Sequence, residues 1–164
     1  MSDGDLRLDG FDLKILNVLQ AEGRLPMVEL ADRIGLSATP TQRRVQRLEA
    51  AGIIAGYGAR LDRRRAGLSL TVFLHLKIEG HHERNASLLQ KRLVALPEVV
   101  ACHIVSGDAD LIAEVVVRDL GAYEAFMMDK LLKLPMIKEM RSLISLRALK
   151  VGGPLEVALE ERQR

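Results

Sequence analysis

Apolar positions in the first fifty residues recur at helical spacing, in three short bursts separated by turn residues. Ile15, Leu16 and Leu19 mark the stripe of a first helix, which Asp9 or Asp12 can start and Gly23 stops. Val28, Leu30, Ala31 and Ile34 mark a second helix, with Pro26 in its first turn. A third runs from Ser37 as N-cap to about Ala51, with Gly52 just past its end. Its Pro40 falls in the first turn, where a missing N–H costs little. Gly35-Leu36-Ser37 packs a reversal, an apolar plug and a cap into three residues. Such a turn sets two helices at a steep angle, the helix-turn-helix arrangement.

After the third helix the period changes. Ile53 to about Leu61 reads as a hinge strand interrupted by Gly56 and Gly58, and Asp62-Arg63-Arg64-Arg65 with Gly67 as a loop. Leu70, Val72, Leu74, Leu76 and Ile78 then alternate with Thr71, Phe73, His75, Lys77 and Glu79, a strand ended by Gly80. Ala86 to Leu96 reads helical, with Leu89, Leu93 and Leu96 on one face. Val99 to Ser106 and Leu111 to Arg118 read as strands joined by the turn Gly107-Asp108-Ala109-Asp110. Asp119 caps a helix carrying Tyr123, Phe126, Met127 and Leu131, and Ile137 to Lys150 reads as a last strand.

The order β-α-β-β-α-β is also an internal repeat. Leu93-Val94-Ala95-Leu96-Pro97-Glu98-Val99 recurs as Leu131-Leu132-Lys133-Leu134-Pro135-Met136-Ile137. Two βαβ halves predict a four-stranded antiparallel sheet with both helices on one face, the ferredoxin-like arrangement, with right-handed crossovers. The expected class is therefore α+β: a three-helix, winged-helix-like unit over 1–54, a hinge and linker over 55–69, a ferredoxin-like sandwich over 70–150, and a tail over 151–164 without assignable pattern. Val99/Val100, Val115/Val116 and Leu143/Ile144 are apolar at both parities, as strands covered on two faces are. A second copy of the chain is the expected cover, giving a dimer or a higher even oligomer.

Composition narrows the class. In 164 residues, 48% apolar and 28% charged, there is room for two small globular domains. Aromatics are 3% with no Trp, against recognition of single strands by stacking. One cysteine, Cys102, excludes an internal disulfide and a Cys-rich zinc site. The start Met1-Ser2-Asp3-Gly4-Asp5 lacks a secretory pattern, and no apolar run reaches the roughly 18 residues of a membrane helix, so a cytoplasmic location is expected. Net charge is +2, yet Arg33 to Arg65 holds eight Arg against two acids, +6, leaving −4 for the rest. A basic segment in a near-neutral chain reads either as a solvated face or as the footprint of a polyanion.

The third helix favours the polyanion. At roughly 100° per residue, Thr41, Val45 and Leu48 share the buried stripe, while Thr39, Arg43, Gln46 and Arg47 lie opposite with Gln42 and Arg44 on the flanks. Arg forks onto guanine edges and Gln onto adenine edges in the major groove. Early residues of such a helix reach bases and later ones phosphate. Thr39, Gln42 and Arg43 are assigned to bases, Arg44 and Arg47 to phosphates. Ser37 is a cap first and a phosphate contact second. Gln46 and Thr41 complete the candidate DNA-binding set.

Leu8-Asp9-Gly10-Phe11-Asp12-Leu13-Lys14-Ile15-Leu16, Glu29-Leu30-Ala31-Asp32-Arg33-Ile34-Gly35-Leu36-Ser37 and Arg43-Arg44-Val45-Gln46-Arg47-Leu48-Glu49-Ala50-Ala51-Gly52-Ile53-Ile54 resemble the Lrp/AsnC family. These are the leucine-responsive or feast/famine transcription regulators of bacteria and archaea. Cys102-His103-Ile104-Val105-Ser106-Gly107-Asp108-Ala109-Asp110 is similar to the family's Gly-Asp-x-Asp turn, and Phe126-Met127-Met128 to Leu134-Pro135 is similar too. The resemblance covers about residues 6–150. It departs at Leu25-Pro26, where family members often have Ser or Thr before the second helix. It implies a DNA-binding domain, a hinge strand, and a sandwich that dimerises and assembles further, often to octamers. It also implies a small effector, commonly an amino acid, held between dimers near that turn, and no other cofactor.

An amino acid carries an ammonium, which Asp108 and Asp110 can receive, and a carboxylate, which main-chain N–H groups around Ser106 and Gly107 can hold. Leu111, Met127 and Met128 are candidates for a side-chain pocket. On residues alone, Gly107-Asp108 reads first as a hairpin turn and the methionines as core. Two other readings compete. One is a low-specificity architectural DNA-binding protein. The other is an enzyme resembling the siroheme decarboxylases, working through His75, His81, His82 or His103. No Ser/His/Asp, Cys/His or metal-spaced set supports the enzyme, and the intact Arg43/Arg44/Arg47 helix opposes it.

Overall fold

The computed structural model describes residues 6–79, 83–134 and 136–158, with backbone alone at 83–85. The strand stop Gly80, the candidates His81 and His82, and Pro135 of the repeat lie outside the described residues, as do the two chain ends. The chain divides into two compact units, one of Met1–Arg60 with Lys150–Arg164 and one of Leu61–Leu149.

In the N-terminal unit, α1 is Gly10–Ala21, α2 Met27–Ile34 and α3 Ala38–Ala50. Asp9 caps α1 in a capping box. Its Oδ1 accepts from the N–H groups of Phe11 and Asp12, and Asp12 Oδ2 accepts from Asp9 N–H. Ile15, Leu16, Leu30, Ile34, Val45 and Leu48 form one apolar core. Val28, expected in that stripe, is 64% exposed, because it lies roughly 200° round α2 from Leu30. Pro26 stands at the N-cap of α2, one residue before the first turn, and α2 has no side-chain cap bond.

Gly35 closes α2 at φ +77°, a left-handed position that a Cβ would strain. Gly35 N–H donates to Asp32 O, and Leu36 N–H to Ala31 O, while Leu36 packs on the core. Ser37 occupies the N-cap position of α3, but its hydroxyl makes no cap bond. The hydroxyl and N–H of Thr41 donate instead to the Ser37 carbonyl, at 2.9 and 3.3 Å.

The hinge strand expected over Ile53 to Leu61 is absent. The segment runs on as irregular chain and pairs with no strand among the described residues, since a strand needs a ladder partner. It packs back on its own unit. Ile54 joins the core, and Tyr57 Oη donates to Glu49 Oε1 at 2.9 Å. Burial first, then the Glu49 carboxylate, pushes the Tyr57 phenol up to about 12. The segment after residue 149, without pattern in the sequence, returns to this unit. The Gln20 amide receives Leu155 N–H at 2.6 Å and donates to Leu155 O at 3.2 Å. Arg60 donates to Val151 O, and Val157 packs on the helical core.

In the other unit β1 is Leu70–Ile78, α4 Glu83–Val94, β2 Val99–Ile104, β3 Leu111–Val117, α5 Leu120–Phe126 and β4 Ile137–Ile144. The sheet order is β2-β3-β1-β4 and every pairing is antiparallel. Asp119 caps α5 through Ala122 N–H, and the helix continues as a π-helical turn at Met127–Leu131. Val72, Leu74, Leu76, Leu111, Ala113 and Val115 meet Leu89, Leu93, Tyr123, Phe126 and Leu131, so both helices cover one face. The last strand stops at Ile144 instead of Lys150, where its pairing with β1 runs out at Val72. Of the strands read as covered on two faces, β3 is so covered within the one chain: Val115 and Val116 are buried. Val100, Leu143 and Ile144 lie on the edge strands and are about half exposed.

Ending the chain after Leu149 should therefore loosen the helical unit and spare the sheet. The loss of two main-chain anchors and the Val157 contact is expected to cost about 1–3 kcal/mol. Hydrogen exchange checks this: α1 amides should lose protection while β1 and β3 amides keep theirs, and unchanged α1 protection would contradict the assignment.

Candidate nucleic-acid interface and effector turn

The geometry of α3 follows from its buried stripe. Thr41 and Leu48 are fully buried and Val45 nearly so, which turns Thr39, Gln42, Arg43, Gln46 and Arg47 to the exposed side. Thr41 is thereby removed from the candidate DNA contacts, because its side chain lies in the interior with its hydroxyl bonded to Ser37. Ser37 itself is exposed, with its hydroxyl uncommitted among the described residues. Arg43 has no ion-pair or hydrogen-bond partner among the described residues, whereas Arg44 and Arg47 both have acids.

Asp12, at 0% exposure, is the centre of that difference. Its Oδ1 accepts from Arg44 Nη1 at 2.9 Å and its Oδ2 from Arg47 Nη2 at 2.6 Å. The same Arg44 nitrogen donates to Asp9 Oδ2 at 2.7 Å, and the Arg44 guanidinium lies over the Phe11 ring. Arg44 therefore ties α3 to the start of α1. Charge-assisted bonds to Asp9 and Asp12 outweigh burial and hold its guanidinium above its ordinary range. Burial alone would raise the Asp9 carboxyl. Bonds from Asp12 N–H, Arg44 and Phe11 N–H together keep it below its ordinary 3.8.

In the sheet unit the turn Ser106–Asp110 is exposed apart from Ala109. Gly107 has φ +119°, a conformation that favours glycine. Asp110 is tied to the end of β1: its N–H donates to Leu76 O and its Oδ2 accepts from Ile78 N–H at 2.8 Å. Asp108 instead borders a cleft of about 280 Å³ with Ala109, His75 and Lys77 of β1, and Glu139 and Arg141 of β4. Leu111 is 1% exposed in the core and so is not a pocket-lining residue. Met127 is partly buried against the same core. Lys77, Glu139 and Arg141 were missed as site residues, and His75 was named only for the enzyme reading. Their signal is in the alternation: on β1 and β4 they take the parity opposite Leu74, Leu76 and Met140, and they pair as His75–Arg141 and Lys77–Glu139. His103 lies in the same transverse row as His75 with Ile112 between them, roughly 10 Å away at two strand spacings. Among the described residues no group of three His, Cys, Asp or Glu is placed to hold a metal ion, and no helix is long and apolar enough to cross a membrane.

A helix-turn-helix that turns a basic helix outward, joined to a ferredoxin-like sheet with a charged cleft at its hairpin, is the plan of a DNA-binding regulator with a separate ligand-binding domain. Comparison with known proteins agrees. Residues 8–55 match a family model described as winged helix-turn-helix DNA-binding, and residues 71–155 match one described as the Lrp/AsnC ligand binding domain. The chain belongs to the Lrp/AsnC family of transcriptional regulators. It is 41% identical to the Bkd operon transcriptional regulator of Pseudomonas aeruginosa, over 86% of this chain and 92% of that protein. It is 36% identical to the leucine-responsive regulatory protein of Escherichia coli, over 92% of each. The crystal structure of a transcriptional regulator from Neisseria meningitidis in complex with L-Met superimposes with a TM-score of 0.86 at 33% identity, covering 91% of this chain and 96% of that one.

The Asp9 bonds give the helical unit an acid sensitivity of definite sign. A carboxyl whose folded value is depressed contributes stability above its unfolded value and loses it as pH falls through the folded one. Between pH 5 and 3 the urea midpoint of the protein should fall, and Asp9→Asn should fall less steeply. An identical slope in the variant would show that Asp9 carries none of the effect.

Proposed function

We propose that this regulator recognises a specific duplex sequence through Thr39, Gln42 and Arg43, with Gln46 beside them, and grips phosphate through Ser37 and Arg47. The observation that carries the reading is Arg43: a guanidinium on the exposed side of α3 with no acid to neutralise it among the described residues. Arg with Gln on one helix face supplies the donors and acceptors that major-groove edges match. The turn Ser106–Asp110 is the effector site in this proposal, and the effector is an amino acid. The cleft beside it presents Asp108 and Glu139 against Lys77 and Arg141, charges of both signs for a ligand that carries both. The L-Met held by the Neisseria meningitidis relative supports that ligand class. Asp108 takes the ammonium; Asp110, engaged with β1, holds the turn in place.

The uncovered sheet face divides into an apolar part, with Phe73 and Leu143, and the charged cleft. A second copy on the apolar part gives a dimer, and dimers assemble further, to an octamer. Effector bound between dimers then changes the spacing of the α3 helices along the DNA, by its differential affinity for two assemblies. The protein works in the cytoplasm and is not an enzyme. His75 and His103, separated by Ile112, form no catalytic pair, and the named relatives are regulators.

Selection of duplexes from a random pool at fixed salt tests the base assignment. Arg43→Ala should lose preference at one or two positions, a cost of about 1–3 kcal/mol on the selected site. Recovery of the wild-type sequence would contradict it, and near-equal wild-type affinity for random duplex would mark an architectural protein instead. For the effector, the twenty amino acids titrated onto a complex with DNA flanking the protein's own gene should yield at least one that shifts affinity. Asp108→Ala should abolish that shift while ligand-free binding persists; a variant that responds as wild type removes Asp108 from the site.

A further inference from the structure

Arg44 and Arg47 share one buried carboxylate but are held differently. Arg44 is 25% exposed, uses Nη1 for both Asp9 and Asp12, and lies over Phe11. Arg47 is 43% exposed and makes one side-chain bond among the described residues, from Nη2 to Asp12. A guanidinium has five N–H donors in a rigid fork, so most of those on Arg47 stay directed to solvent. Asp12 is itself held on both oxygens. It is fully buried, it closes the capping box through Asp9 N–H, and Arg44 fixes its other oxygen.

We propose that Asp12 is a positioning residue for DNA binding: its buried carboxylate holds Arg47 as a pre-ordered fork for a backbone phosphate. The proposal rests on the assignment of Arg47 to phosphate. Its physical basis is entropy. A long cationic side chain loses rotamer freedom when a phosphate captures it. A side chain already clamped from behind has lost that freedom on folding. Arg44 supplies the contrast on the same helix, since its nitrogen is committed within the protein.

Phosphate contacts carry no sequence information, so a random duplex of about thirty base pairs is the appropriate probe. The experiment measures affinity of the full-length protein for it against salt, for wild type, Asp12→Asn, Arg47→Gln and the double variant. Arg47→Gln should reduce the slope of log K on log salt by about 0.9 per bound helix. Asp12→Asn should weaken binding about two- to tenfold when Arg47 is present and cause no further loss when it is absent. An unchanged slope in Arg47→Gln overturns the phosphate assignment. A reduced slope with additive effects in the double variant, or Asp12→Asn binding as tightly as wild type or more so, overturns the positioning role. If Asp12→Asn does not fold, Arg47→Lys decides: it keeps the charge and the slope but loses the fork, and should bind about two- to tenfold more weakly. Wild-type affinity in Arg47→Lys would overturn the proposal.

Discussion

A carboxylate removed from water must be satisfied on both oxygens, and in this protein Asp12 meets that demand with groups from two helices. The Asp9 N–H comes from the cap of its own helix, and the guanidinium groups come from α3. The constraint links the start of α1 to one side of α3, and the apolar stripe of α3 sets which side that is. What stays outward is the row from Ser37 through Arg43 to Arg47. A helical unit this small has a limited apolar core, so one buried charged cluster has a large share in its geometry.

The sheet unit works by a different rule, the alternation of side chains along each strand. One parity of β1, β3 and β4 is closed off by α4 and α5. On β1 and β4 the other parity stays open and is chemically divided: apolar where Phe73 meets Leu143, charged where His75 meets Arg141 and Lys77 meets Glu139. The turn after β2 reaches the charged end because Asp110 is bonded to the end of β1. The anchoring of the loop and the composition of the cleft are thus consequences of one register. A ligand acting there needs no displaced core side chain.

Much of this was legible in the sequence because its signals are local. Asp9, Gly35, Gly52 and Asp119 act within a turn of the helices they begin or end, and the two-residue alternation of β1 needs no partner to be seen. The repeat around Leu96-Pro97 gave the strand order through symmetry. What the sequence hid depends on distant partners. Arg44 looks like any exposed arginine until Asp12, thirty-two residues away, is placed beside it. Ile53 to Leu61 has strand character that no ladder satisfies, so Tyr57 turns back to Glu49. The return of Leu155 to Gln20 spans 135 residues and has no periodic signature. Lys77 and Glu139 become neighbours only through register.

The most direct test of the account is nitrogen-15 NMR of the arginine side chains of the full-length protein, free and with duplex DNA. The Nη–H signals of Arg44 and Arg47 should be resolved and protected in the free protein, Arg43 broad with exchange. On addition of duplex, Arg43 should shift and become protected and Arg47 should shift, while Arg44 stays where it was. A shift of Arg44 to new partners, or signals of Arg43 and Arg47 indifferent to DNA, would contradict the division of labour on α3.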